Sequence, residues 1–79
     1  MSSEIHPPPN EFTDEEIAQD HILRYFHYRH LPDGLRETSE HFCQLAVMMV
    51  RTLPRNPERT VALRKLLESK DAAVRSRLN

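Results

Sequence analysis

Residues 53–58 read Leu-Pro-Arg-Asn-Pro-Glu and separate two long helical patterns. Pro54 ends the first helix, because proline has no backbone N–H to donate and clashes with the preceding turn. Asn56, Pro57 and Glu58 are typical of a helix start, with an N-cap, a proline in the first turn and an early acid. Since so short a connection makes the two helices antiparallel, the sequence predicts a helical hairpin.

The two arms of this hairpin are predicted from about Asp33 to Leu53 and from Pro57 to about Leu78. The first arm carries apolar residues on two faces. One stripe consists of Leu35, Phe42, Leu45 and Met49, and a neighbouring strip consists of Cys43, Val47 and Val50. The spacing of both sets is helical. Only one face can be buried inside a hairpin, so the other must meet the N-terminal helix or another copy of the chain.

The N-terminal part of the chain contains a shorter helix signal. Thr13-Asp14-Glu15-Glu16 is a capping box, which predicts a helix that runs to about His27 or Tyr28. Residues 1–12 include three consecutive prolines and are predicted to be a flexible leader. The expected fold is therefore all-α, with one domain at 13–79 that holds a short helix and a long antiparallel hairpin.

The composition limits the possible function classes. The chain has 79 residues, one cysteine, one glycine and a formal net charge of -1. One domain fits this length, and a lone cysteine cannot form an intrachain disulfide. The near-neutral charge argues against a binder of polymeric nucleic acid, and no apolar run is long enough to span a membrane. A core this small is marginal, which together with the second apolar face predicts a homo-oligomer.

An aromatic and basic cluster spans residues 24–30, Arg-Tyr-Phe-His-Tyr-Arg-His. Aromatic faces stack on nucleobases, and neighbouring cations can meet phosphate. Tyr25 and Tyr28 are therefore candidate base-stacking residues. The alternative is structural: a helix end whose aromatic side chains close the core of the hairpin.

The far end of the hairpin is a second candidate site. The antiparallel register places Arg36 near Arg75 and Thr38 near Ala73. It therefore gathers a polar set at this end, namely Arg36, Thr38, Ser39, Arg75 and Arg77. Guanidinium and hydroxyl groups are suitable donors to phosphate. A solvated helix end with dipole-compensating arginines is the alternative interpretation.

Other chemistry is weakly indicated. His27 and His30 are three residues apart, as in helical metal pairs, but no further ligand completes a recognisable site. Cys43 lies in an apolar strip and is interpreted as a packing residue rather than a nucleophile. We therefore predict no catalytic residue, no metal and no cofactor.

The sequence resembles a known family in three places. They are Arg24-Tyr25-Phe26-His27-Tyr28, then His30-Leu31-Pro32, and then residues 60–75, Thr-Val-Ala-Leu-Arg-Lys-Leu-Leu-Glu-Ser-Lys-Asp-Ala-Ala-Val-Arg. These segments are similar to the phage anti-CBASS sponge proteins, which share a helical hairpin with the sponges that inhibit Thoeris defence. The resemblance covers about residues 20–78.

The resemblance implies a function without catalysis. Family members form compact homo-oligomers, typically hexamers, in the cytoplasm of the infected bacterium. They sequester the cyclic dinucleotides, such as cyclic GMP-AMP, and the cyclic trinucleotides that trigger CBASS immunity, and they do not degrade them. The alternative, from the residues alone, is a helical-hairpin module for protein–protein interaction. A small DNA-binding regulator is a weaker third option, because no helix presents clustered exposed bases.

The resemblance also implies roles for individual residues. Tyr25, followed by Tyr28, matches a family tyrosine that stacks on a base. Thr38 with Arg75 or Arg77 matches the trinucleotide site. Glu40 stands where the family has a phosphate-binding basic residue, for which Arg36 or His41 would have to substitute.

Overall fold

The computed structural model describes residues 10–78. They form an all-helical structure without a strand in this range: α1 is Asp14–Gln19, a 3₁₀ helix follows at His21–Phe26, α2 is Asp33–Thr52 and α3 is Pro57–Ser76. No helix of residues 10–78 is both long and apolar enough to cross a membrane.

The predicted hairpin is confirmed. α2 ends at Thr52, and α3 begins at Pro57 with the Asn56 side chain accepting a 2.9 Å hydrogen bond from the Arg59 amide. The arms are antiparallel in the predicted register, since a Cβ added to Gly34 would lie 2.7 Å from Nη2 of Arg77. The two prolines and the Asn56 cap are therefore sufficient to place the turn.

The predicted single N-terminal helix is wrong in its second half. The Thr13 capping box forms, but α1 ends at Gln19 and Asp20 adopts φ -133° and ψ 87°. The chain then continues as the 3₁₀ helix. A 3₁₀ helix aligns residues three apart, so Leu23 and Phe26 lie on one ridge and are both fully buried.

All four helical elements contribute side chains to the core. Its buried apolar members are Phe12, Ile17, Leu23, Phe26, Tyr28, Cys43, Ala46 and Leu63. On α2 the buried face holds Cys43, Ala46 and Ser39, whereas Leu45, from the first predicted stripe, is 42% exposed. The inward face therefore combines Cys43 of the second predicted strip with Ala46, which lies beside the first stripe. Other members of both strips pack partly buried against the core, namely Phe42, Met49, Val47 and Val50.

Three members of the first predicted stripe, together with Leu53 just after α2, lie on a face that we call the open face: Phe42, Leu45, Met49 and Leu53. Phe42 and Met49 are half-buried at the edge of the core, and Leu45 and Leu53 are exposed. The described residues extend 36 × 33 × 15 Å. A body only 15 Å thick, with apolar side chains left outside, has too few layers to cover both faces of α2.

The folded body begins before Thr13. Phe12 is only 5% exposed and belongs to the core. The Glu11 carboxylate accepts a hydrogen bond from the Tyr28 hydroxyl and two from the Arg29 guanidinium, the latter at 3.1 and 2.9 Å. Arg51 donates to the Glu11 carbonyl at 2.7 Å. Glu11 and Phe12 thus pack as part of the domain rather than as leader. Residues 1–9 of the predicted leader lie outside the described residues.

The Glu11 contacts predict acid sensitivity. Burial alone raises the pKa of the Glu11 carboxyl, but hydrogen bonds from Arg29 and Tyr28 outweigh it, and the pKa lies below its ordinary value. Because the pKa of the Glu11 carboxyl is lower in the folded than in the unfolded protein, the ionised carboxylate stabilises the fold at pH values above the unfolded pKa of about 4.3. This contribution to stability is lost as the pH falls through the lower pKa of the folded state.

We expect Glu11→Gln to lower the free energy of unfolding by about 1–3 kcal/mol at pH 7. The gap between the parent and the variant should narrow as the pH is stepped down below about 4.3. Urea denaturation at each pH measures this difference in the free energy of unfolding. A gap that stays constant from pH 7 into the acid range would contradict the ion-pair account.

Candidate ligand-binding site

The far end of the hairpin brings together most of the predicted polar set. Gly34, in the first turn of α2, lies beside the Arg77 guanidinium, and the Thr38 hydroxyl donates to the Gly34 carbonyl at 3.2 Å. Arg36 forms an ion pair with Asp33 and remains partly exposed. Arg75 and Arg77 are exposed at the end of α3. This end of the molecule therefore carries three guanidinium groups and one hydroxyl.

Ser39 does not belong to this surface. Its side chain is fully buried, and its hydroxyl oxygen has no hydrogen-bond partner among the described residues. The residue sits on the inward face of α2, one turn before Cys43, where it packs into the core. We therefore remove Ser39 from the candidate ligand-binding residues.

Tyr25 is the exposed aromatic residue of the cluster. Its side chain is 60% exposed, on the 3₁₀ helix. Its carbonyl accepts a 2.7 Å hydrogen bond from Nζ of Lys70 on α3. Because Lys70 is only 8% exposed, this bond fixes the backbone that carries the Tyr25 ring. The Tyr25 ring is thus exposed for stacking, and the backbone that carries it is held in place.

Tyr28 has a structural role in this chain. It is buried in the core, and its hydroxyl donates to the Glu11 carboxylate. Burial, then the contact with Glu11, raises the pKa of Tyr28 to about 12. The Arg29 guanidinium carbon lies 4.8 Å from the ring centroid. The prediction that Tyr28 stacks on a base is therefore corrected, since one ring face is covered and the hydroxyl is engaged.

A cleft lies between the two candidate regions. Its volume is about 250 Å³. Its lining residues are His27, His30, Leu31, Lys70, Asp71, Val74 and Arg75. The two imidazole rings stack with centroids 4.1 Å apart and an interplanar angle of 23°. Arg75 links this cleft to the hairpin end, and Lys70 links it to Tyr25.

Sequence reasoning missed Lys70. The available signal was its position, seven residues after Leu63, which places a cation in line with the apolar stripe of α3. A buried ammonium needs a partner, and the Tyr25 carbonyl and the Asp71 carboxylate, at 3.6 Å, provide two. Lys70 therefore joins the candidate site.

Two other chemical candidates were raised by the sequence. Among residues 10–78, no group of three or more His, Cys, Asp or Glu side chains is arranged to hold a metal ion. Cys43 is fully buried, and burial raises the pKa of its thiol to about 12. Its position therefore fits packing rather than nucleophilic chemistry.

Comparison of the chain with protein-family models, with curated proteins and with solved structures found no match.

Proposed function

We propose that this protein is a phage anti-defence sponge that sequesters cyclic oligonucleotide second messengers and releases them unchanged. The observation that supports the proposal most is the combination of exposed Tyr25 with the arginine-rich hairpin end. Stacking contributes about 1–3 kcal/mol per base, and charge-assisted phosphate contacts add to it. Such contacts are enough for tight capture without a catalytic group.

The proposed ligands are cyclic dinucleotides, such as cyclic GMP-AMP, and cyclic trinucleotides. Tyr25 would stack on a base of a cyclic dinucleotide. Thr38, Arg75 and Arg77, with Arg36 beside them, would meet the phosphates of a cyclic trinucleotide. Repeated phosphates in a cyclic ligand are matched well by repeated copies of one arginine. Binding in the cytoplasm of the infected bacterium would keep these messengers from the CBASS effector.

The proposed active form is a homo-oligomer. The resemblance to the sponge family implies a hexamer. The open face leaves apolar side chains uncovered on a body 15 Å thick. The cleft of about 250 Å³ is smaller than the roughly 300–1,000 Å³ of pockets that enclose drug-sized ligands. A larger site that surrounds a whole cyclic ligand would have to be shared between copies, which supports self-association as part of the function.

Tyr25→Ala is expected to weaken capture of at least one cyclic dinucleotide about tenfold or more, because a base loses its stacking partner. Isothermal titration calorimetry against cyclic GMP-AMP measures the loss. Tyr25→Phe keeps the ring and serves as the matched control, with binding close to the parent. If Tyr25→Ala binds every cyclic dinucleotide like the parent, Tyr25 is not the stacking residue.

Arg75→Ala is expected to weaken capture of cyclic trinucleotides about tenfold or more, since a hydrogen bond to a charged group is worth about 1.5–3 kcal/mol. Calorimetry with tri- and dinucleotides on the same sample measures selectivity. Arg64→Ala, an exposed arginine nearer the middle of α3, is the control and should leave both affinities unchanged. Equal loss for all ligands would indicate a folding defect instead.

A second candidate function is a protein–protein interaction module, favoured by the open face. Leu45 and Leu53 remain exposed on one side of α2, and uncovered apolar patches commonly mark interfaces. An interaction module binds no cyclic oligonucleotide, whereas a sponge binds one saturably and releases it intact on heating. Calorimetry against a panel of cyclic di- and trinucleotides separates the two functions.

A further inference from the structure

Gly34, in the first turn of α2, lies directly beside the Arg77 side chain at the end of α3. A Cβ added to Gly34 would lie 2.7 Å from Nη2, 3.6 Å from Cζ and 3.9 Å from Nε of Arg77. Apart from the backbone of its own helix and the adjoining residues, these three are the nearest atoms to that position. Because a real Cβ does not come within 3.0 Å of such an atom, the guanidinium occupies space that is open only while residue 34 has no side chain.

The backbone itself does not require a glycine at position 34. Gly34 is the one glycine of the chain, and its φ is not positive, so other residues could adopt the same backbone conformation. It also stands within a helix of 20 residues, where glycine is less favourable than alanine. The close approach of Arg77 is therefore the feature that a side chain at position 34 would disturb.

The backbone on both sides of this contact is held by hydrogen bonds. The Thr38 hydroxyl donates to the Gly34 carbonyl at 3.2 Å. The Arg77 amide donates to the Val74 carbonyl at 3.1 Å, in the last turn of the chain's second long helix. The Arg77 side chain thus starts from an ordered backbone and ends against an ordered helical turn. A side chain that is positioned in advance loses less rotamer freedom when it binds a ligand.

The positive charge of Arg77 is not neutralised at this contact. The Asp33 carboxylate, next in sequence to Gly34, forms its ion pair with Arg36 instead. Among residues 10–78, no carboxylate forms an ion pair with Arg77, and the residue is exposed. An exposed guanidinium without an acidic partner is well suited to bind phosphate with two parallel N–H donors.

We propose that Gly34 is a positioning residue for the phosphates of a cyclic trinucleotide, a role that rests on the proposed capture of that ligand. It acts through Arg77, whose guanidinium uses the space that the missing side chain leaves. The far end of an arginine moves at little cost to the fold, so alanine at position 34 should displace the guanidinium without unfolding α2. Stability and ligand capture should therefore respond differently to the same substitution.

Gly34→Ala is expected to weaken capture of cyclic trinucleotides about threefold to tenfold, the range for a long side chain that must be ordered on binding. It should melt at or above the temperature of the parent, because alanine favours the helix. Calorimetry and thermal unfolding of the full-length protein measure the two effects. Gln44→Ala, at an exposed position further along α2, is the matched control and should bind like the parent.

A double-mutant cycle tests whether Gly34 acts through Arg77. Arg77→Ala should weaken trinucleotide capture about tenfold, the loss typical of a hydrogen bond to a charged group. Adding Gly34→Ala to Arg77→Ala should then cause no further loss, since the guanidinium that it displaces is already absent. Additive losses, or Gly34→Ala with the affinity of the parent, would overturn the proposal.

Nuclear magnetic resonance of the ligand-free protein separates this inference from the proposed function. The Nε–H signal of Arg77, assigned by its absence in Arg77→Ala, should move in Gly34→Ala and stay in place in Gln44→Ala. An Arg77 signal that does not respond to Gly34→Ala would overturn the positioning role alone. A parent protein that captures no cyclic trinucleotide, with the Arg77 signal responding as expected, would instead refute the proposed function and with it the ligand assigned to this contact.

Discussion

Arg59→Ala is expected to lower the free energy of unfolding by about 3 kcal/mol, because it breaks a buried ion pair and leaves a charge behind. Arg59 is only 6% exposed. Its Nη2 donates to Asp20 Oδ2 at 2.6 Å, and its Nη1 donates to the Val50 carbonyl at 3.2 Å. Arg55, with Nε 3.9 Å from the same carboxylate oxygen, is too distant and too exposed to replace it. The substitution should therefore separate the α1 end from the hairpin.

Urea denaturation measures this loss, with the parent and the variant compared at one protein concentration. Arg64→Ala, on the exposed face of the same helix, should change stability by no more than about 0.5 kcal/mol. The double variant of Asp20→Ala with Arg59→Ala should be more stable than the sum of the two single losses implies, because neither charge is left unpaired. Strict additivity would mean that the pair does not act as a unit.

Phe12→Ala is expected to cost about 3–5 kcal/mol, the usual loss for a phenylalanine removed from a core. Phe12 is 5% exposed, and the neighbouring Glu11 anchors the same segment to Arg51 on α2. In a chain of this size such a loss is a large part of the total stability. The variant should be partly unfolded at room temperature.

Thermal unfolding followed by circular dichroism measures the effect of Phe12→Ala. Tyr25→Ala is the matched control, because it removes an aromatic side chain that is 60% exposed and should leave the melting temperature nearly unchanged. A Phe12→Ala variant that melts like the parent would show that the segment before α1 contributes little to the folded state.

The hairpin could be predicted because local chemistry determines it. A proline ends a helix wherever it occurs in a helical pattern, and Pro54 does so here. Asn56 followed by Pro57 starts the next helix. Both arms are long enough for their periodicity to be clear. Which apolar face of α2 is buried could not be predicted locally, because it depends on where α1 and the 3₁₀ helix pack.

The start of α1 at the Thr13 capping box was predicted, but the end of α1 and the packing of Glu11 and Phe12 were not, because tertiary contacts determine them. The helix is interrupted at Asp20, whose carboxylate binds Arg59 thirty-nine residues later. The folded body reaches back to Glu11 through contacts with Tyr28, Arg29 and Arg51. None of these pairings leaves a periodic signal in the sequence, so the local propensity for one continuous helix was misleading.

The candidate site was predicted in part. The antiparallel register was enough to bring Thr38, Arg75 and Arg77 to one end of the molecule. Tyr28 and Ser39 were misplaced, because burial within a small core depends on the packing of several elements and not on residue type. Lys70 was missed, since a lysine on a predicted helix is usually solvated and its bond to the Tyr25 carbonyl is a long-range contact.

Native mass spectrometry of the protein mixed with cyclic di- and trinucleotides tests the central claim most directly, since it weighs the assembly and its ligand together. We expect a multiple of the 9.3 kDa chain that carries cyclic oligonucleotide and releases it at unchanged mass on heating. A single-chain species that carries no cyclic oligonucleotide at saturating concentration would contradict the sponge account.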